Sequence, residues 1–145
     1  MELLEALGGY GILNDTYNAN PASMAAGLMT LSQMQAKTSI ALLGDMLELG
    51  ETTEAAHRKL GRLVRTSGVD YLGLVGDHAG FTAQGAIEAG MPAERVKVFA
   101  DKEAACLWLE TLQAEIGLAK GDWLLVKASR GLKMETIVTR LTGKA

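Results

Sequence analysis

The chain has 145 residues, 48% of them apolar, which suits a single domain with its own core. Its net charge of -3 offers no basic surplus for nucleic acid and no polybasic run for a membrane surface, and no apolar run approaches the roughly 20 residues of a membrane helix. The single cysteine, Cys106, excludes an internal disulfide, fits a reducing cytoplasm and, among apolar neighbours, is expected to be buried and inert.

Short apolar runs alternate along the chain with segments of helical spacing. The strand signals are runs such as IALL and WLLV, and the clearest helix signal is the apolar stripe that contains Met24, Leu28 and Leu31. In chain order, strands are predicted at 11–15, 38–43, 70–75, 96–99 and 123–126, and helices between and after them at 21–35, 54–66, 81–89, 102–115 and 131–141.

This alternation predicts an α/β fold with a Rossmann-like, mostly parallel six-stranded sheet and helices on both faces. The apolar runs given above locate five of its strands. The continuously apolar strands agree, because a parallel sheet is covered on both of its faces. Residues 11–145 are predicted to form one domain. Residues 1–10 match no element well and are interpreted as the remnant of a connection to a preceding domain.

Polar segments follow three of the predicted strands. Residues 14–21 follow the first strand, residues 44–51 the second and residues 127–131 the last. The carboxyl ends of parallel strands meet at one edge of a sheet, and ligands of such sheets bind there. These three segments are therefore expected to share one rim.

The first polar segment carries the most specific candidates. Asp15 is placed to accept hydrogen bonds from a ribose diol, and Asn18 and Asn20 carry amides that both donate and accept. Asn20 is also a natural N-cap for a helix that begins at Pro21. The capping role of Asn20 and a ligand role for Asp15 can coexist.

The second polar segment and the helix after it allow a structural and a functional interpretation. Asp45, Glu48 and Glu51 are either solvated loop charges or groups that take a position in a closed active site. His57 is expected at the surface more than as a proton carrier. Both interpretations stay open at this point.

The third polar segment lies beside the predicted start of the final helix, whose free N–H groups favour an anion. The planar guanidinium of Arg130 suits a carboxylate, Lys127 adds charge, and Ser129 is either a ligand contact or the N-cap of the helix. The alternative for Arg130 is a side chain that simply faces solvent.

Three ordered motifs resemble a known family. DTYNANPASM at 15–24 is similar to D-x-Y-N-A-N-P-x-S-M, which opens the C-terminal domain of MurF-type members of the Mur ligase family. LGDMLELG at 43–50, with His57 downstream, looks like the next loop of that domain. KASRGLKME at 127–135 resembles its K-G-S-R-x-x-x-M-E segment, although Ala128 stands where the family usually has glycine.

The resemblance implies a Rossmann-like domain of a cytoplasmic, ATP-dependent ligase. Enzymes of this family form an acyl phosphate from ATP and the carboxylate of a UDP-linked peptide, and an incoming amine then attacks it. In the MurF-type branch the peptide is UDP-N-acetylmuramoyl-tripeptide, the amine is D-alanyl-D-alanine and the product is a peptidoglycan precursor. The resemblance assigns the nucleotide to Asp15, Tyr17, Asn18 and Asn20. It assigns the incoming dipeptide to Lys127, Ser129 and Arg130.

The sequence contains no G-x-x-x-x-G-K-[ST] phosphate loop and no convincing metal-ligand spacing. In the family, the phosphate loop and the Mg²⁺ ligands belong to a central domain, and the UDP-sugar site belongs to an N-terminal domain. The chain is therefore expected to be part of a larger enzyme and to be inactive without those two domains.

Two alternatives from other classes remain. One is the C-terminal domain of another Mur ligase or of a folylpolyglutamate-type amide ligase, which shares the architecture. The other is a stand-alone Rossmann-like nucleotide-binding module, which would need a glycine-rich turn after the first strand. DTYNANP is not such a turn, and its combination with LGDMLELG favours the MurF-type branch.

Overall fold

The computed structural model describes residues 1–144, so the last residue of the predicted domain 11–145 lies outside the described residues. Within them the strands are β1 (Glu2–Glu5), β2 (Gly11–Asp15), β3 (Ser39–Gly44), β4 (Tyr71–Val75), β5 (Val96–Phe99) and β6 (Trp123–Lys127). The helices are α1 (Pro21–Gln33), α2 (Thr53–Thr66), α3 (Ala79–Glu88), α4 (Lys102–Ile116) and α5 (Glu135–Thr142). No helix among residues 1–144 is long and apolar enough to cross a membrane.

The strands form one sheet in the order β1-β2-β6-β3-β4-β5, and every pairing is parallel except that of β1 with β2. The predicted fold class is confirmed. The sixth strand is β1, so the expectation that residues 1–10 match no element is wrong for Glu2–Glu5. Their interpretation as part of a connection between domains stays a prediction.

Helices cover both faces of the sheet, and each face has its own apolar core. Buried side chains of α1, α2 and α3 pack on one face, with Leu13, Leu43 and Leu125 from the strands. Buried side chains of α4 and α5 pack on the other face, with Ile12 and Leu124. Strand β6 lies between β2 and β3, so it is covered on all sides, as its unbroken apolar sequence predicts.

Cys106 lies on α4 and is buried in the second of these cores, as expected. Burial raises the pKa of its thiol, because the thiolate form would lose its hydration. This favours the protonated and unreactive form of the side chain.

The helix ends follow the sequence signals at two sites and depart from them at a third. Asn20 accepts the Ser23 N–H at 2.8 Å, and the Ser23 hydroxyl accepts the Asn20 N–H at 2.9 Å, so the predicted N-cap of α1 is confirmed. Asp101 caps α4 with a single bond, accepting the Ala104 N–H at 2.9 Å. The predicted helix at 131–141 is wrong at its start. A short 3-10 turn at Arg130–Leu132 is followed by Lys133 in a left-handed conformation (φ +52°), and α5 begins only at Glu135.

Helices α2 and α3 approach so closely that glycine is required where they cross. A Cβ at Gly61 would lie 2.0 Å from the carbonyl oxygen of Thr82. A Cβ at Gly85 would lie 2.1 Å from the carbonyl oxygen of Arg58. Both neighbours are backbone atoms, which cannot move aside without separating the helices.

Gly85→Ala is therefore expected to lower the free energy of unfolding by about 2 kcal/mol or more, because the methyl group overpacks the crossing. Gly80→Ala is the matched control in the same helix, since nothing lies within 4 Å of a Cβ built there. It should be neutral or stabilising by up to about 1 kcal/mol. Urea denaturation of both variants checks the expectation, and equal effects would show that the crossing has room to spare.

Candidate functional site

Four loops meet at the carboxyl edge of the sheet, where the neighbouring strands β2, β6, β3 and β4 end. We name each loop after the strand before it. They comprise residues 15–20 (β2 loop), 127–131 (β6 loop), 44–50 (β3 loop) and 76–78 (β4 loop). The three predicted polar segments therefore do share one rim, and the β4 loop joins them.

Lys127 ends β6, and only 1% of its side chain is exposed. Its ammonium forms an ion pair with the carboxylate of Asp15 and donates a hydrogen bond to the carbonyl oxygen of Asn18 at 3.0 Å. Helix α1 makes room for its stem at Gly27, where a Cβ would lie 3.1 Å from the Lys127 Cδ. The Lys127 ammonium is thus bound inside the protein to Asp15 and Asn18, which belong to the segment that the resemblance assigns to the nucleotide.

Asp15 remains partly open to the rim. Its side chain is 21% exposed, and the contact with Lys127 is made through Oδ2. A carboxylate has about four acceptor positions on its two oxygens, so the ion pair leaves capacity for a ligand hydroxyl. The ribose contact stays a prediction, and the ion pair adds a structural role that the sequence did not predict.

Tyr17 and Arg130 form a second pair between the β2 and β6 loops. The guanidinium lies 4.8 Å from the centroid of the Tyr17 ring, and Nη1 donates a hydrogen bond to the Tyr17 hydroxyl at 3.2 Å. Tyr17 is 67% exposed, and Arg130 is exposed as well. The pair presents a cation on the rim beside the Tyr17 ring. Asn18 and Asn20 are exposed beside it, and the amide oxygen of Asn20 is occupied by the cap of α1.

Ser129 connects three segments of the rim, and the expectation that its side chain caps the final helix is wrong. Its hydroxyl accepts the N–H of Leu47 at 3.0 Å and lies 3.5 Å from the carbonyl oxygen of Ala19, to which it donates. Its own N–H donates to the carbonyl oxygen of Asp45 at 3.3 Å. The hydroxyl makes no bond to the 3-10 turn that follows it.

The acidic residues of the β3 loop differ in their surroundings. Asp45 is only 3% exposed and accepts the His78 N–H at 3.1 and 3.2 Å, so its interpretation as a solvated charge is wrong. Gly76 (φ +129°) closes around this carboxylate, since a Cβ there would lie 2.4 Å from it. Glu48 and Glu51 are exposed, as solvated loop charges are.

His57 lies on α2 and is 1% exposed, so the expectation of a surface histidine is wrong. Its Nε2 atom accepts the Met46 N–H at 3.1 Å, and its Nδ1 atom lies 2.7 Å from the carbonyl oxygen of Thr53. An N–H group only donates, so Nε2 must be unprotonated and Nδ1 carries the proton. The neutral imidazole joins the β3 loop to the first turn of α2.

Ala128, the departure from the family motif, is fully buried. Its methyl group packs on Gly44, where a Cβ would lie only 2.6 Å from the Ala128 Cβ. Glycine at 44 therefore leaves space for the Ala128 methyl group.

Within residues 1–144, no three His, Cys, Asp or Glu side chains form a group that could hold a metal ion. The charged groups that reach the rim are Asp15, Glu48, Asp77 and Arg130. They can bind polar and anionic ligands, but they lie on an open edge and do not form a closed active site.

Comparisons with known proteins agree on one family. Residues 1–130 match the family described as Mur ligase, glutamate ligase domain. The chain is 35% identical over 143 residues to the UDP-N-acetylmuramoyl-tripeptide--D-alanyl-D-alanine ligase of Bacillus subtilis, covering 97% of this chain and 30% of that protein. It is 37% identical over 132 residues to the enzyme of the same name from Escherichia coli, covering 90% and 26%.

A solved structure shows the same similarity. The crystal structure of MurF from Acinetobacter baumannii superposes with a TM-score of 0.84 at 28% identity. The match covers 99% of this chain and 30% of that one. The chain thus spans 26 to 30% of the length of these relatives.

The ion pair between Asp15 and Lys127 is testable by a double-mutant cycle. Asp15→Asn should lower the free energy of unfolding by about 3 kcal/mol, because it leaves the buried ammonium without a countercharge. Lys127→Met keeps the apolar stem and removes that charge, so the double variant should be more stable than Asp15→Asn alone. Urea denaturation of the three variants measures this, and additive losses would contradict the pairing.

Proposed function

This chain belongs to the Mur ligase family, and from that premise we propose that it acts as the C-terminal domain of an ATP-dependent ligase that joins D-alanyl-D-alanine to UDP-N-acetylmuramoyl-tripeptide. The observation that carries the proposal is the convergence of all three motifs on one rim. The curated relatives that bear this enzyme's name support the choice of substrates.

In this proposal the rim closes over ATP bound by a central domain, and Asp15 accepts hydrogen bonds from the ribose. Tyr17, Asn18 and Asn20 surround that contact, and the Asn20 amide NH₂ is free to donate while its oxygen caps α1. Mg²⁺ is assigned to the central domain, since the described residues of this chain offer no cluster of ligands for it. Bound there, it would neutralise charge on the transferring phosphoryl group.

We assign the carboxylate of the incoming dipeptide to Arg130. Arg130 does not lie at the N-terminus of α5, because that helix begins only at Glu135. What remains is the exposed guanidinium itself, whose planar fork matches a carboxylate and which Tyr17 already holds in place. Gripping the far end of the dipeptide would orient its amine towards the acyl phosphate. Lys127 and Ser129 support this contact from within the rim and do not reach the ligand themselves.

The proposal places the protein in the synthesis of peptidoglycan precursors in the cytoplasm, and so in the processes that set cell shape and permit division. Its partners there are the N-terminal and central domains of the same enzyme. The single buried cysteine is compatible with this compartment.

A domain exchange tests the proposal. The homologous region of the Bacillus subtilis ligase is replaced by this chain, and ATP-dependent formation of the pentapeptide product is followed by chromatography. The chimera should ligate D-alanyl-D-alanine, whereas this chain alone should neither ligate nor hydrolyse ATP, because it lacks the phosphate loop. A folded chimera that binds UDP-N-acetylmuramoyl-tripeptide but forms no product would contradict the proposal, as would turnover by the chain alone.

In the same chimera, Arg130→Lys keeps the charge and loses the fork. It is expected to raise the dipeptide KM by about tenfold, equivalent to roughly 1.4 kcal/mol, with the ATP KM little changed. Steady-state kinetics with each substrate varied in turn measures both values. A raised ATP KM with a constant dipeptide KM would place Arg130 at the nucleotide phosphates, and no change in either would leave it a solvent-facing side chain.

A further inference from the structure

We infer that His57 is a positioning residue for the rim, acting through the β3 loop on the turn that carries Arg130. The inference rests on the proposed function for its kinetic consequence, while the contacts that carry it are properties of the chain itself. His57 touches neither Arg130 nor any group that the proposal places at a ligand.

Two consecutive backbone amides of the β3 loop each donate a hydrogen bond to a side chain. The N–H of Met46 donates to the His57 ring at 3.1 Å, and the N–H of Leu47 donates to the Ser129 hydroxyl at 3.0 Å. Both acceptors are side chains from other elements, one from α2 and one from the β6 loop. Only the φ and ψ angles of Met46 separate these two N–H groups, so the two acceptors together restrain the backbone at this residue.

Leu47 lies beside the residues that precede and follow Arg130. Ser129 precedes Arg130 and holds the Leu47 amide, and Gly131 follows Arg130 with the Leu47 side chain 3.5 Å from the position of a Cβ there. Leu47 therefore lies along the Arg130 turn and is bonded to it through Ser129, while Tyr17 contacts the guanidinium.

The His57 side chain is itself held in a fixed orientation. The His57 ring is buried and is fixed at both nitrogens, by the Met46 amide and by the Thr53 carbonyl oxygen. Asp45, next to Met46, is held separately by the His78 N–H and by Ser129. Losing the His57 acceptor would release the Met46 amide and leave the Leu47 amide held by Ser129 alone, whereas the hydrogen bonds of Asp45 do not involve His57, so the expected effect is local.

The test compares His57→Gln, which can still accept the Met46 N–H, with His57→Leu, which cannot. In the active chimera, His57→Leu should raise the dipeptide KM by about tenfold with little change in the ATP KM, because a small displacement of an orienting group is costly. His57→Gln should restore most of the loss. Val64→Ala, a buried substitution on the same helix outside these contacts, is the control for lost stability and should leave both KM values unchanged.

A second measurement on this chain alone separates failure of the inference from failure of the proposed function. Amide hydrogen exchange should become faster at Met46 and Leu47 in His57→Leu, and not in Val64→Ala once global stability is taken into account. Unchanged exchange at these two amides would overturn the inference, whatever the chimera does. Faster exchange with an unchanged dipeptide KM in an active chimera would overturn the link to Arg130, and an inactive wild-type chimera would count against the proposed function only.

Discussion

The buried ammonium of Lys127 requires a negative partner, and the arrangement of the rim follows from how that requirement is met. Asp15 supplies the charge from β2, and the Asn18 carbonyl supplies a further acceptor. An unpaired charge at this depth would cost several kcal/mol, so the β2 loop is held where it lies. Gly27 on α1 is part of the same arrangement, since it leaves space for the Lys127 stem.

Side chains that face inward connect the loops, and side chains that face outward are left for ligands. Ser129 and His57 bind backbone groups of the β3 loop, and Asp45 binds the β4 loop. Tyr17 and Arg130 project from the loops so fixed. A surface ordered in advance pays less conformational entropy when it closes on a ligand or on another domain.

The sequence predicted the elements better than the contacts. Strands β2 and β5 have their predicted ends because apolar runs stop there at clear polar signals. Strand β1 is not predicted because a four-residue edge strand gives too short a pattern. The start of the last helix is predicted too early because Lys133 adopts a left-handed conformation, which a non-glycine residue rarely adopts. The rim followed from the rule for parallel strands, but the pairing of Asp15 with Lys127, 112 residues apart, depends on the strand order.

That pairing constrains what Asp15 can bind. A ligand that replaced Lys127 at the carboxylate would leave a buried, uncompensated ammonium, so a ligand contact has to be added to the ion pair. A hydroxyl can be added in this way, because it is neutral and donates to an unused lone pair. A metal cation would compete with the ammonium for the same charge. The motif aspartate of this chain is therefore suited to a neutral donor such as a hydroxyl, and the residue that decides this is Lys127, 112 residues further along the chain.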